Sequence, residues 1–549
     1  MPRAFGRRPE RPRRSLRRAL TLRGLLRLRP AGDIWRLSAL SAVIAVGVPE
    51  VVVLLLAGHL ELALYTSAGG LCALYGHGLP YAARARAVAW VVMGMTAGMA
   101  VASTTAALTG VAAVRVAVIA LLAAAFKMGC DATRIGPPGM VVPTFITSSA
   151  AFVPTRPADL PVDLALVLLG GVLSWLVCMA PALFRPHRPE RAAVARALEA
   201  TARLLRTAED DPAVGQVRHE AAAAVHAAWH TLGSIRSTTS EVTALNRLVA
   251  QAGALTVHHR GEQADRLDAW ARELRKSGPI PVIRVSAAES AELRGIAVAQ
   301  AADARTGGWQ RIRAALVPGS PLYPIGMRVA LGGAAAGWTS MALGVERPNW
   351  AVLTAAATFV ANTAVSWQRA VLRVLGSLGG VLLFTALVPV TRGPTALVVA
   401  TVVLMVPVEA AFARNYGLGM LFVTPLALLM SEFAGGQSAH RLVVDRWLDT
   451  CVGAAVGVLV CFLVPNRRVA GRVEAALRAL EEITATAPAD PDRRAARARL
   501  AGALIEVREA ADTADGEWWS APLPEQRIVA AERAGHRALA RIAVPVDVS

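Results

Sequence analysis

Long apolar blocks constrain the fold of this chain more than any other feature. Several run for about 20 residues, which is the length that a helix needs to cross a bilayer core of about 30 Å. Hydrophobic residues make up 54% of the 549 residues, and a soluble protein of this length is usually less apolar. The pattern predicts an all-α polytopic membrane protein with the lipid bilayer as its surroundings.

The apolar blocks form two groups of six predicted spans, and a polar stretch follows each group. The spans are 34–57, 60–79, 86–109, 111–129, 138–154 and 161–184, then 321–343, 349–366, 370–390, 394–412, 415–433 and 442–465. We therefore expect a basic cytosolic N-terminal segment at 1–33, a first transmembrane repeat at 34–184, a cytosolic helical domain at 185–320, a second transmembrane repeat at 321–465 and a C-terminal cytosolic helical domain at 466–549.

A shift of about 282 residues aligns landmarks of the two groups. "GMTAG" at 94–98 falls on "GSLGG" at 376–380, and "RALE" at 196–199 falls on "RALE" at 478–481. A single shift that holds from the third span into the polar region predicts a tandem duplication. Since each unit has an even number of spans, the two repeats should be parallel and related by an axis along the membrane normal.

Basic residues predict the orientation of the chain in the membrane. The formal net charge is +19, and the first thirty residues are rich in arginine and have Glu10 as their one acid. Cytoplasmic loops carry the excess of Lys and Arg, so we expect both termini and both polar regions in the cytoplasm of a cell membrane. Because no aromatic residues interleave with the arginines, we expect no nucleic acid partner.

Sequence motifs for catalysis are not evident. The five cysteines lie inside apolar segments without a CxxC pair, and no G-x-S-x-G, H-E-x-x-H or Walker A motif occurs. We expect no enzyme activity, no cofactor and no metal. Any transport would then be driven by a gradient.

Proline and buried charge mark candidate functional positions within the spans. Pro143 lies beside Thr144 and Pro425 beside Thr424, in the fifth span of each group, where a broken helix can form a binding site or be a tolerated kink. Ionisable residues inside a membrane are costly, so they face a cavity or anchor at the interface. Glu50 follows Pro49 deep in the first span and, with Glu409, is our candidate for ion coupling.

The segments "RPNWAVLTAAATFV" and "SWQRAVLRVLGSLGG", at 347–360 and 366–380, resemble the core signature of the fusaric acid resistance (FUSC)-like, or aromatic acid exporter, family. The resemblance extends from about 321 to 465 and is weaker in the first group of spans. The residues that carry it are Trp350, Leu353, Thr354, Arg373, Gly376, Ser377 and Gly380.

This resemblance implies an inner-membrane exporter of small organic anions, often aromatic carboxylic acids. Arg369 and Arg373 would lie where a loop enters a helix and meet the carboxylate there, and Trp350 and Thr354 would line the path. Alternatively, these arginines are topology anchors. The chain could also be a passive organic-anion channel, or a membrane scaffold that transports nothing and uses its cytosolic domains for interactions. Homo-oligomer formation is compatible with each reading.

Overall fold

A computed structural model provides the fold. It describes residues 28, 32, 34–56, 60–208, 214–235, 239–255, 263–276, 278–281, 308–317, 320, 322–359, 363–432, 439–463, 469–490, 493–514 and 524–543. Every regular element within these residues is a helix, as predicted. Apart from Leu28 and Gly32, the predicted basic segment 1–33 lies outside the described residues.

Two groups of apolar helices contain most of the predicted spans. The first group is α1 (Ile34–Leu56), α2 (Leu60–Gly70), α3 (Tyr81–Leu108), α4 (Ala112–Thr133), α5 (Val141–Ala150) and α6 (Leu160–Met179). Four amphipathic helices and a short one follow: α7 (Arg188–Arg206), α8 (Val214–Gly233), α9 (Ser240–Leu255), α10 (Ala264–Arg275) and α11 (Gly308–Ala315).

The second group and a second set of amphipathic helices complete the chain. They are α12 (Tyr323–Ala342), α13 (Asn349–Thr358), α14 (Thr363–Leu387), α15 (Pro394–Phe412), α16 (Tyr416–Glu432), α17 (Ala439–Leu463), α18 (Val469–Thr486), α19 (Arg493–Ala514) and α20 (Glu525–Ala543). Short 3₁₀ helices extend α2, α6 and α18.

Within the described residues, six helices are long and apolar enough to cross a membrane: Ile34–Leu55, Tyr81–Leu108, Ala112–Thr133, Leu160–Leu183, Ser366–Leu387 and Pro394–Phe412. The chain is therefore a polytopic membrane protein, but the prediction of about six spanning helices in each group is met only in part.

Local sequence explains why the other predicted spans differ. The segments at 60–79, 138–154 and 415–433 hold shorter apolar helices, and α13 has 10 residues. Adjacent glycines end α2 at Gly70, and Pro137-Pro138-Gly139 precedes α5. Although α12 and α17 have 20 and 25 residues, glycines make α12 less apolar, and α17 carries charged side chains.

Contacts between the two groups are reciprocal. The helix α1 of the first group packs against α15 of the second, and α12 of the second packs against α4 of the first. Within the groups, α2 packs on α6 as α13 packs on α17. The hydrophobic core accordingly includes residues of both groups.

Glycine permits the closest helix contacts in the second group. A Cβ atom at Gly376 would collide with the carbonyl oxygen of Gly417, and one at Gly380 would lie 2.8 Å from the carbonyl oxygen of Leu421. The backbones of α14 and α16 therefore meet through these glycines, as small residues at membrane helix interfaces allow. Gly94 differs, because a Cβ atom there would have no atom within 4 Å.

The amphipathic helices form two separate apolar cores. The helices α7 to α10 bury their apolar faces together around Leu198, Trp229 and Leu248. The helices α18 to α20 do the same around Leu480, Leu500 and Leu539. The first bundle also contacts the membrane helices, because Thr231 Oγ1 lies 3.2 Å from the carbonyl oxygen of Gly78, in the turn before α3.

Candidate functional site

Three charged side chains lie buried in the second group of membrane helices. Arg373 on α14 and Arg446 on α17 are each 2% exposed, and Asp449 on α17 is 0% exposed. Burying an ionised group among apolar helices is costly unless the group has partners or a function. The cluster is therefore the first place to look for a functional site.

Arg373 lies inside α14, not at its start. The predicted loop-to-helix entry is wrong because α14 already begins at Thr363, and Arg373 faces neighbouring helices. Its Nε donates a hydrogen bond to Thr354 Oγ1 at 3.3 Å, and its Nη1 donates to the hydroxyl of Tyr416 at 2.9 Å. These hydroxyl groups, supplied by α13 and α16, allow the guanidinium to be buried.

Arg369 lies one turn before Arg373 and is half-buried. Its Cζ is 4.8 Å from the ring centroid of Tyr416, within the range of a cation–π interaction. Tyr416 therefore contacts both predicted arginines, through its ring face and through its hydroxyl.

Arg446 covers one face of Trp350. Its Cζ is 3.9 Å from the ring centroid, while its Nε and Nη1 are buried and have no hydrogen-bond partner. Asp449, three residues later on the same helix, accepts a hydrogen bond from the hydroxyl of Ser340 on α12, and its Oδ2 is buried without a partner. Sequence reasoning missed both residues, although "RWLDT" at 446–450 places charges inside an apolar block.

Trp350 has its other partner in the first group of helices. The ring of Phe145, on α5, stacks against it with the centroids 5.2 Å apart. Both rings line a cleft between the two groups of helices. The cleft is also lined by Tyr65, Met99, Arg347 and Asp445. The wall is largely apolar and aromatic, with a few polar groups, as in typical small-molecule sites.

The two predicted proline sites differ in local structure. Pro143 lies in the first turn of α5, where its missing N–H leaves no helical hydrogen bond unmade. Its neighbour Thr144 is buried and has an unpaired hydroxyl. Pro425 lies inside α16, and the hydroxyl of Thr424 is 3.4 Å from that of Ser377 on α14.

The predicted coupling residues lie on other helices than the arginines. Glu50, on α1, is 0% exposed and accepts a hydrogen bond from Ser67 Oγ on α2 at 2.8 Å. Its Oε2 is buried without a partner. Glu409, on α15, accepts a hydrogen bond from Ser38 on α1. In the described part of the chain, no group of three or more His, Cys, Asp or Glu side chains is placed to hold a metal ion.

Comparisons with known proteins agree with the location of this cluster. Residues 334–460 match the family of fusaric acid resistance protein-like proteins, and this range includes Trp350, Thr354, Arg373, Arg446 and Asp449. No solved structure shows a significant match to the chain.

Two curated bacterial proteins are similar to the chain. The uncharacterized membrane protein YvaC of Bacillus subtilis is 26% identical over 527 residues, which cover 88% of this chain and 81% of YvaC. The uncharacterized protein slr1298 of Synechocystis is 23% identical over 143 residues, which cover 26% of this chain and 19% of that protein. The resemblance noted in the sequence is thereby confirmed, and the chain carries a membrane domain of the fusaric acid resistance protein-like family at residues 334–460.

Proposed function

We propose that this protein exports small aromatic carboxylic acids across the cell membrane, driven by a gradient. The observation that carries the proposal is Arg373, a cation buried inside the family domain and held by Thr354, whose helix also presents Trp350 to an aromatic cleft. A guanidinium binds a carboxylate well because its planar donors match the two oxygens. Aromatic rings beside it favour a ligand that carries a ring of its own.

The path that we propose runs between the two groups of helices. Trp350, Thr354, Arg369 and Arg373 would line it from α13 and α14. Pro425 and Thr424 would contribute from α16, and Pro143 and Thr144 from the start of α5, near Phe145. Unpaired hydroxyls such as that of Thr144 can accept or donate hydrogen bonds to a passing ligand.

Coupling to protons is the second part of the proposal. Glu50 has one oxygen bonded to Ser67 and one without a partner, so a proton on the free oxygen would remove the charge at little structural cost. Glu409 would act with it, since their helices α1 and α15 pack together.

The architecture that we propose is a tandem repeat with both helical bundles and both termini in the cytoplasm. Shifted by 282 residues, α3 would begin at 363, where α14 does begin, and α7 would begin at 470, next to the start of α18 at Val469. The reciprocal packing of α1 on α15 and of α12 on α4 also supports two related repeats. Tags in 185–320 and in the C-terminal tail should then be accessible from the same side of the membrane, and accessibility from opposite sides would contradict this topology.

Efflux of a radiolabelled aromatic acid from cells tests the function. At matched expression, Arg373→Ala should abolish efflux because the carboxylate loses its buried cation. Arg414→Ala is the control, since Arg414 donates to the carbonyl oxygen of Ala410 and lies over Trp35, away from the family signature. Unchanged efflux in Arg373→Ala would remove Arg373 from the mechanism.

The coupling has a separate test. In proteoliposomes with an imposed pH gradient, Glu50→Gln should abolish the dependence of flux on pH, because the amide cannot exchange a proton at these pH values. A passive channel would keep its flux in Glu50→Gln. Protein that moves no weak acid at all would favour a scaffold.

A further inference from the structure

We propose that Arg446, Arg373 and Asp449 form a closed site that selects a ligand with a single carboxylate, and that Trp350 is its cover. The inference rests on the proposed function, because it names the charge class of the transported acid. It adds Arg446 and Asp449, which the family signature in the sequence did not include, to the proposed site.

Geometry brings the two arginines together. Trp350 and Thr354 are four residues apart on α13 and therefore lie on one face, one helical turn apart. Arg446 covers Trp350, and Arg373 donates to Thr354. Arg446 and Arg373 are close enough for their positive charges to repel one another.

Buried charges at the site do not balance. Arg373 and Arg446 are two cations and Asp449 is one anion, so the buried cluster carries one net positive charge when all three are ionised. Arg347 and Asp445, which line the cleft on the other side of Trp350, are of opposite sign and offset each other. A ligand with one negative charge would neutralise the cluster, whereas a dianion would leave an excess of negative charge.

Arg446 has free donors for such a ligand. Its Nε and Nη1 have no hydrogen-bond partner, which is rare for a buried guanidinium. The face of Trp350 carries partial negative charge and partly compensates for the missing anion. The ring stands between Arg446 and Phe145, which lines the cleft, so a carboxylate would reach Arg446 once Trp350 swings aside.

Equilibrium binding to the purified full-length protein in nanodiscs tests the site. The probes are radiolabelled benzoate and acetate as monoanions, with phthalate as the dianion and benzamide as the neutral competitor. We expect both monoanions to bind, benzamide to fail as a competitor, and phthalate to bind at least about tenfold more weakly than benzoate, a difference of about 1.4 kcal/mol.

Two variants separate charge from folding. Arg446→Gln should weaken benzoate binding about tenfold or more, with Arg414→Gln as the matched control. Asp449→Asn adds one net positive charge and should shift the preference about tenfold toward phthalate, a gain that misfolding cannot produce. Size-exclusion profiles like that of the wild type establish that each variant is folded.

The site is overturned if wild-type protein binds neither monoanion, if Arg446→Gln binds benzoate as tightly as wild type, or if Asp449→Asn leaves the ratio of phthalate to benzoate affinity unchanged. Efflux that depends on Arg373 in cells would then still support the exporter. Conversely, binding that follows the expected pattern in a protein that moves no acid would leave the site standing and refute transport.

Discussion

The two groups of membrane helices bury different chemistry at matching positions. The residues 282 positions before Arg373, Arg446 and Asp449 are Val91, Leu164 and Val167, which are all apolar. The residue 282 positions after Glu50 is Gly332. The comparison teaches that a common order of helices can hold a cationic site in one group and a buried carboxylate in the other. We infer that ligand recognition and coupling are divided between the groups.

Gly94 and Gly376, which are 282 residues apart, offer the largest contrast. Gly376→Val should leave little folded protein, because a side chain would collide with the backbone of α16, and overpacking of this kind costs about 3 kcal/mol or more. Gly94→Val should be tolerated because the space around Gly94 is open. Fluorescence-detected size exclusion after heating measures both, and equal melting temperatures would contradict the close approach of α14 and α16.

The two helical bundles should differ in their response to acid. His536, on α20, is buried, and burial together with the charge of Arg508 lowers its pKa to about 3. Its unfolded form takes up a proton below about pH 6.5, so the stabilisation is complete above that pH and is lost as the pH falls toward 3. The loss is on the order of 3 kcal/mol at pH 4.

Hydrogen exchange of the whole protein, followed by mass spectrometry and corrected for the intrinsic rate at each pH, measures this effect. Peptides from α18 to α20 should lose protection between pH 7 and pH 4. Peptides from α9, where Ala254 lies 282 positions before His536, serve as the internal control. Loss of protection that is equal in both bundles would show that His536 is not the cause.

Gly453 and Gly171 are the next pair. A Cβ atom at Gly453 would lie 2.6 Å from the carbonyl oxygen of Ala351, while one at Gly171 would meet the side chain of Val92. A side chain can change rotamer more cheaply than a backbone can move. Gly453→Ala should therefore cost about 2 kcal/mol and Gly171→Ala about half of that, measured as loss of thermal stability in detergent. The reverse order would place the tighter helix contact in the first group.

The smallest effect is expected at Lys127, whose counterpart 282 residues later is Glu409. Lys127 Nζ lies 2.8 Å from Asp131 Oδ2, and the two side chains are 16% and 30% exposed. Pairs of this kind contribute about 0.5 kcal/mol or less, so Lys127→Gln should barely change the melting temperature. A large loss would mean that the pair matters as much as the buried cluster does.

Hydropathy predicted the longest helices well but misjudged the arginines. The spans at α1, α3, α4, α6, α14 and α15 follow from apolar length alone. Arg369 and Arg373 suggested a water-facing loop, because an arginine without partners is costly in lipid. Their partners, Thr354 and Tyr416, come from helices that a local window does not include.

The same limit explains why Arg446 and Asp449 were missed. Both charges are visible in the sequence, but their meaning depends on residues about a hundred positions away. Ser340 bonds to Asp449, and Trp350 stacks on Arg446. The signature residues Trp350, Thr354 and Arg373 were found, and they do lie together, because the family pattern already encodes a tertiary contact.

The first helical bundle rests on the turn that begins α3. In that turn the Arg84 guanidinium donates to the carbonyl oxygens of Gly76 and His77. Glu190, at the start of α7, has its pKa raised by burial and feels the charge of Arg84, while Thr231 approaches Gly78. Any tilting of the bundle must break these links or drag the turn along, so the bundle can act as a lever by which a cytosolic event moves a transmembrane helix.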